Sequence, residues 1–508
     1  MIGPPRRAVG PIVLGAVLLG VSYPPFHLVV PSFVAVAPAV LLVRQSTREE
    51  DPQGAFRAGF WYGVATQAVV LYWMVFALWH FTPLAALGYF ATVALEALWC
   101  AVLFWFVVRV RQRLPALPLA LVFPVAWTAV EWALGHQGDI RFPWLGLGTS
   151  LAAAPILVQW ADVAGARGVT LWLAWCNVQI VEGLLPPLGV RRAAARRLLP
   201  VALTLGAALG YGAWREHSLA QRDLGVIGLV QPNERFWEKW DPAREDQVMA
   251  KLVRMSRTLA QPEPPSLLVW PEAAIPGYLF GHPQWDTALA RLARVERTPI
   301  LTGGLDAAFA PGGGEYFNAA FFFDASGRRT PYPVYHKHYL VPVVERVPFV
   351  PPRWIRLKWF GGFGRGREFP VYQAAGGRFG VLICYESAFE DLPRIYRRNG
   401  ADFLVNITND AWFGLTSAPY QHASHLVLRA IETRMGVARA ANSGISEFVD
   451  PLGHSYAVTG LGREATVRAR LRTSDVTTLY VRFGDWVGLG AVIVSLACAA
   501  AALGLRPT

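Results

Sequence analysis

Charge is what this chain has least of. Asp, Glu, Lys and Arg make up 16% of its 508 residues, against roughly 25% in ordinary soluble domains. With 54% hydrophobic residues and a mean hydropathy of +0.32, that shortage argues against a chain soluble throughout and points to a membrane protein. Cysteine is scarce too: Cys100, Cys176, Cys384 and Cys498 are all there are. Three sit in apolar segments, where a buried structural role is the default. Cys384 alone falls in the polar middle of the chain, so no disulfide framework within that region is open to it. No glycine-rich phosphate loop, internal repeat or low-complexity linker occurs. His336 and His338 stand two apart, but no third ligand can be assigned to them. The expectation is a protein with no metal and no cofactor.

The formal net charge is +12. A nucleic-acid partner is rejected, because the arginines lie in short clusters beside apolar runs, which is how topology is encoded. A spanning helix needs about 20 mostly apolar residues. Candidates lie near 9–23, 27–43, 56–79, 84–108, 117–134, 165–185 and 198–214, with an eighth near 485–505. The first two are short and separated only by Ser22–Phe26, so a re-entrant pair is an alternative to two spans. Arg6 and Arg7, Arg44 and Arg48, Arg109 to Arg113, Arg191 to Arg197, and Arg506 all fall on one side if every segment spans. That side is then cytoplasmic, and the large region between the seventh and eighth segments is outside it. A cleaved signal peptide is the alternative for the first segment, but its loss breaks the charge alternation. Glu96 and Glu131 lie inside apolar segments, where a functional role is the default reading.

The pattern expects a membrane domain over 1–216, a catalytic domain over 217–482 and a last span over 483–508. In the middle region, short apolar runs read as strands at Leu224–Val230, Ser266–Trp270, Pro299–Gly303, Tyr316–Phe323, Arg378–Ile383 and Asp402–Ile407. Between them lie amphipathic stretches such as Arg244–Ala260, with Val248, Leu252, Met255 and Leu259 at helical spacing. This alternation predicts a layered α/β domain.

Cys384 ends the strand-like run Phe379–Ile383, where a nucleophile is exposed at a sheet edge. A thiol with an ordinary pKa of about 8.5 needs a base or cation beside it. Glu272 follows another apolar run, in Trp270-Pro271-Glu272, and Lys337 sits in the basic, aromatic segment Tyr335–Leu340. A carboxylate, a lysine and a thiol divide the labour of acyl transfer as base, oxyanion partner and nucleophile. Taken singly, each has a blander reading: a strand-end carboxylate, a solvated lysine, a small buried hydrophobe.

Together they carry a resemblance. Val269-Trp270-Pro271-Glu272, His336-Lys337 and Ile383-Cys384-Tyr385-Glu386 resemble the triad motifs of the nitrilase, or carbon-nitrogen hydrolase, superfamily. The likeness is closer to its membrane branch, the bacterial apolipoprotein N-acyltransferases, through Trp270–Pro276, Lys337–Pro342, Asn406–Gly414, Arg439–Ser446 and Phe142–Leu145. It covers nearly the whole chain.

The resemblance implies a polytopic α-helical membrane domain of about eight spans and an extracytoplasmic nitrilase-like αββα sandwich. It implies Cys384 as nucleophile, Glu272 as general base and Lys337 as oxyanion partner, with Glu345 assisting. It places Trp240 on a segment at the entrance, Tyr385 and Glu386 beside the nucleophile, and Trp412 in an active-site loop. The reaction it implies moves a fatty acyl group from a phospholipid, typically phosphatidylethanolamine, through a Cys384 thioester. The acceptor is the α-amino group of a diacylglyceryl-modified apolipoprotein, at the bacterial inner membrane. The family usually has Gly before this glutamate, whereas here Val343-Val344 precede Glu345. The apolar loop 354–363 is expected either to dip into the lipid surface or to pack on the membrane domain. A membrane-tethered amidase using the same triad is the alternative function.

Overall fold

The computed structural model describes residues 3–79, 86–185, 192–310, 313–329, 332–351, 354 and 362–504. The loop 354–363 therefore lies outside the described residues, apart from Trp354 and the two residues at its end. The chain forms two compact units. One comprises 1–137, 142–218 and 483–508; the other comprises 138–141 and 219–482.

The first unit is helical. Its long elements are Val9–Ser22, Ala37–Arg48, Pro52–Val70, Leu87–Arg113, Leu119–Leu134, Ala161–Leu184, Arg192–Ser218 and Trp486–Gly504. By length and hydropathy, three helices among the described residues are able to cross a membrane: Val29–Arg48, Leu87–Arg113 and Trp486–Gly504. Two expected segments differ in form. The run read as 56–79 is a bent pair, Pro52–Val70 and Trp73–Trp79, meeting at 64°. The run read as 27–43 falls within the Val29–Arg48 stretch, which is helical at Val29–Ser32 and Ala37–Arg48 with a turn over residues 33–36 between them. Hydropathy integrates over a window, so an interruption of two to four residues that stays apolar leaves no trace in it. Small residues let helices approach closely: a Cβ on Gly63 would lie 2.5 Å from the Ala97 Cα.

The second unit is built on two six-stranded sheets. One has strands β1 (Arg222–Gln231), β2 (Leu267–Val269), β3 (Ile300–Ala310), β4 (Gly313–Phe323) and β5 (Tyr335–His336). The other has β6 (Tyr372–Ala374), β7 (Gly377–Ile383), β8 (Phe403–Thr408), β9 (Gly436–Ala441), β10 (Glu447–Val449) and β11 (Ser455–Tyr456). Strand β12 (Ala465–Thr473) returns to pair antiparallel with β1. The orders are β12-β1-β2-β3-β4-β5 and β11-β10-β9-β8-β7-β6.

Side chains on a strand alternate faces, and β4 shows what that builds. Phe321 and Phe323 enter a core with Val248, Leu252, Leu289 and Leu292 of the helices Glu245–Leu259 and Pro283–Val295. Phe322 points the other way and meets Tyr372 and Phe379 of the second sheet, with ring centroids 5.2 and 5.8 Å apart. The sheets thus face each other, with a helical layer outside the first. In the second, Asp391–Arg398 and Ala418–Thr433 follow β7 and β8. This is the nitrilase-like α/β sandwich.

Candidate active site

Glu272 and Lys337 leave strands of one sheet and Cys384 a strand of the other, so strand pairing sets the first two and the facing of the two sheets adds the third. Glu272 follows β2 in a turn where Ala273 has φ +48°. Strand β3 crosses so close that a Cβ on Gly303 would lie 2.6 Å from the Glu272 Cα and 2.7 Å from the Pro271 carbonyl, so only glycine fits there. Lys337 follows β5, whose antiparallel pairing with β4 sets Lys337 beside Asn318; its N–H donates to the Asn318 carbonyl at 2.9 Å. Cys384 opens a short 3₁₀ turn directly after β7, with φ +53°. A non-glycine residue held in that region costs on the order of 1–3 kcal/mol and marks sites where geometry is imposed.

All three side chains are buried. The Lys337 ammonium donates to Glu345 Oε1 at 2.8 Å and lies 3.4 Å from Glu272 Oε1. The Asn318 amide bridges the same two carboxylates, donating to Glu272 at 2.7 Å and Glu345 at 2.9 Å. Glu272 takes its remaining bond, 2.8 Å, from the Asn409 N–H at the end of β8 in the opposite sheet. Burial works against the Lys337 cation, but Glu345, Glu272 and Cys384 outweigh it and hold its pKa well above the ordinary lysine value. The Cys384 thiol is pushed up by burial and by Glu272, against the pull of Lys337. At rest the site is therefore a protonated thiol beside a carboxylate and a fixed ammonium. A proton can pass from sulfur to Glu272 once an electrophile is in reach.

Glu345 keeps its place although Val343 and Val344 precede it. Its Oε2 accepts from the Val341 N–H at 2.7 Å. The left-handed conformation falls on Val343, at φ +68°, which is a strained state for a β-branched residue. Glu386 is fully enclosed and spends both oxygens on the protein: the N–H groups of His338, Tyr339 and Ile383 at 2.6, 3.2 and 2.7 Å, and the Tyr335 hydroxyl at 2.8 Å. It joins the Lys337 segment to the turn that carries Cys384. The Tyr385 hydroxyl donates to the Arg141 carbonyl at 2.8 Å. Trp240 packs half-buried against Leu305, Leu340 and Phe363, and Trp412 lies in the short helix Asp410–Phe413.

Sequence reasoning missed three supports. Lys239, buried, donates to the Glu272 carbonyl at 3.1 Å; burial lowers its pKa to about 8 against the attraction of Glu272 and Glu234. Asn318 gave no signal because it sits mid-strand among aromatic residues. Asp410 is bound by Arg439 and His422, each at 2.9 Å, behind Cys384. Burial would raise the Asp410 pKa, yet the Arg439 charge and the contacts with His422 and Thr408 outweigh it, and it lies below the usual carboxylate range. The histidines flagged in the sequence part company: His336 bonds Asp306 at 2.8 Å, while burial lowers the His338 pKa to about 4. Among the described residues, no three metal-ligating side chains gather.

Known proteins resemble this chain in both of its halves. Residues 226–484 match the Carbon-nitrogen hydrolase family, and residues 15–179 match the Apolipoprotein N-acyltransferase N-terminal domain. A crystal structure of an amidase from Nesterenkonia sp. is 18% identical and covers 53% of this chain and 96% of its own, with a TM-score of 0.36. The Apolipoprotein N-acyltransferase of Chlorobaculum tepidum is 30% identical, over 94% of this chain and 92% of that one. The one from Geobacter metallireducens is 34% identical, over 97% and 96%. Both halves of the chain and its whole length agree: this protein belongs to the apolipoprotein N-acyltransferase family, with a carbon-nitrogen hydrolase domain as its second half.

Proposed function

We propose that this chain is an apolipoprotein N-acyltransferase working by two acyl transfers through Cys384. The observation that carries the proposal is the Lys337 ammonium fixed between Glu272 and Glu345 beside a buried thiol. In the first transfer the sulfur attacks an ester carbonyl of a phospholipid, and the thiol proton passes to Glu272. Lys337 stabilises the oxyanion. On collapse the ester C–O bond breaks, Glu272 returns the proton to the leaving oxygen, and a lysophospholipid departs. In the second, the α-amine of a diacylglyceryl-cysteine attacks the thioester. It loses its proton to Glu272, which hands it to the departing thiolate. Glu345, Asn318 and Glu386 position this machinery. Tyr385, Trp240 and Trp412 are proposed to border the substrates.

Both substrates are lipids, so the site must stand over a bilayer. The proposed topology has eight spans, the arginine clusters inside and the catalytic domain on the outer face of the inner membrane. Phosphatidylethanolamine, the donor that the family resemblance implies, is the proposed one. The proposed domain limits are 1–216, 217–482 and 483–508.

The test is intact and peptide mass spectrometry after incubation with phosphatidylethanolamine, beside Cys384→Ala. A fatty-acyl adduct on the Cys384 peptide, with lysophospholipid released and neither in the variant, is the expected result. Folded protein that forms no adduct with any of several phospholipids overturns the donor assignment.

A further inference from the structure

The helical unit holds an open-mouthed cavity lined by none of the residues assigned above to acyl transfer. Its walls come from one unit alone: Leu19, Val70 and Leu103 supply apolar surface, Trp99 and Trp127 aromatic surface, and Glu96 a carboxyl. The space open to water-sized molecules is about 70 Å³, several times the roughly 10–15 Å³ that holds one water and enough for a small polar head.

Two carboxyls face this space, and they are treated differently. Glu131 is saturated. It accepts from Trp127 Nε1 at 2.9 Å, the Leu147 N–H at 2.7 Å and Thr170 Oγ1 at 2.8 Å, and it pairs with Arg167 at 3.4 Å. Glu96, on the helix Leu87–Arg113, is only 5% exposed. Among the described residues no hydrogen bond or ion pair reaches its carboxyl, and the charged group acting on it is Glu131, another acid. A buried carboxyl without a partner is expensive, and within a membrane segment such a group marks a binding function.

The missing partner is a cation, and the walls say of what kind. An inorganic cation needs several oxygen ligands, whereas Glu96 offers one carboxyl set among aliphatic and indole surfaces. An alkylammonium satisfies both. Its N–H groups bond the carboxylate, its methylenes cover the apolar walls, and indoles attract its charge by about 0.5–2 kcal/mol. We propose that this cavity is a second lipid site, separate from Cys384, which holds the primary ammonium of an amine-bearing lipid on Glu96. The inference rests on the proposed function only for which amines are at hand: an aminophospholipid headgroup or the α-amine of a lipid-modified cysteine.

The experiment counts lipids bound to full-length Cys384→Ala protein by native mass spectrometry. Four ligands are compared: phosphatidylethanolamine, its N-acetylated form, a diacylglyceryl lipopeptide with a free α-amine, and that lipopeptide N-acetylated. A second bound copy of an amine lipid, at least about tenfold more abundant than with the acetylated partner, is expected for one or both sources. The arm that retains it identifies the source. Glu96→Gln in the same background should abolish that second copy while leaving the first. Val130→Phe, which fills the cavity without touching the charge, should do likewise. Equal retention of free and acetylated lipids, or a second copy that survives Glu96→Gln, overturns the proposal. None of these readouts needs thioester formation, so failure here and failure of acylation at Cys384 are told apart.

Discussion

In the hydrolase domain, Glu272, Glu345, Glu386 and Asp410 are all buried, and each accepts from at least three protein donors. In the helical unit Glu131 is treated the same way, while Glu96, also buried, has none among the described residues. A saturated carboxylate is held in one position, because moving it breaks several charge-assisted bonds at once. That rigidity suits a base that must meet a thiol proton within a fraction of an ångström. A bare carboxyl has the opposite property: its stabilisation is still to come, from whatever enters beside it.

The contrast can be broken in several places. Cys384→Ala leaves every saturated carboxylate in place, yet acyl transfer should fall by at least about 10⁴-fold, as when other covalent nucleophiles are removed. Retained transfer at the wild-type rate would mean that the cluster works without the thiol. Asp410→Asn strips the charge that pairs with buried Arg439, and thermal or denaturant unfolding should show a loss of about 3–5 kcal/mol. An unchanged midpoint would show that the network is not needed for the fold. Glu345→Gln removes one of the two charges that hold Lys337. The expected cost is about 10–100-fold in kcat with little change in KM, since the oxyanion partner loses position rather than the substrate its pocket.

The pair Glu131→Gln and Glu96→Gln sharpens the comparison within one unit. Loss of the Arg167 pairing should destabilise the first by about 1–3 kcal/mol, whereas the second should unfold no earlier than wild type. Equal destabilisation of the two would erase the distinction. The smallest effect concerns Lys239. Its folded pKa is lowered to about 8, so it carries its charge below that pH and loses it above. Activity supported by the cation should therefore fall as pH rises, by about threefold between pH 7.5 and 8.5 for a one-proton titration. Lys239→Arg, charged throughout, should flatten that alkaline limb; an identical limb in the variant would assign it to another group.

Legibility differed between the regions for physical reasons. Strands β1, β2, β3, β4, β7 and β8 were readable because each carries an apolar run, and Arg244–Ala260 because its spacing is helical. Strand β9, Gly436–Ala441, is wholly buried but made of small residues and one arginine, so no period marks it. Strands β5 and β6 are two and three residues long, too short for any period. Strand β12 is different: Val467, Ala469 and Leu471 alternate with Arg468, Arg470 and Arg472, a legible pattern that the α/β reading passed over. In the helical unit, the break between Val70 and Trp73 is apolar on both sides, and hydropathy cannot see a bend.

By itself the sequence determined the membrane character, through the scarcity of charge, and pointed to Glu272 and Cys384 at the ends of apolar runs and to Lys337 in a basic, aromatic segment. It also carried the family, through motifs spread over nearly the whole chain. What only the tertiary structure decided is which groups meet. Asn318 between two glutamates, Lys239 under Glu272 and the bare carboxyl of Glu96 all depend on contacts between residues far apart in the chain. Such contacts are fixed by strand register and helix packing, which no local pattern of side chains encodes.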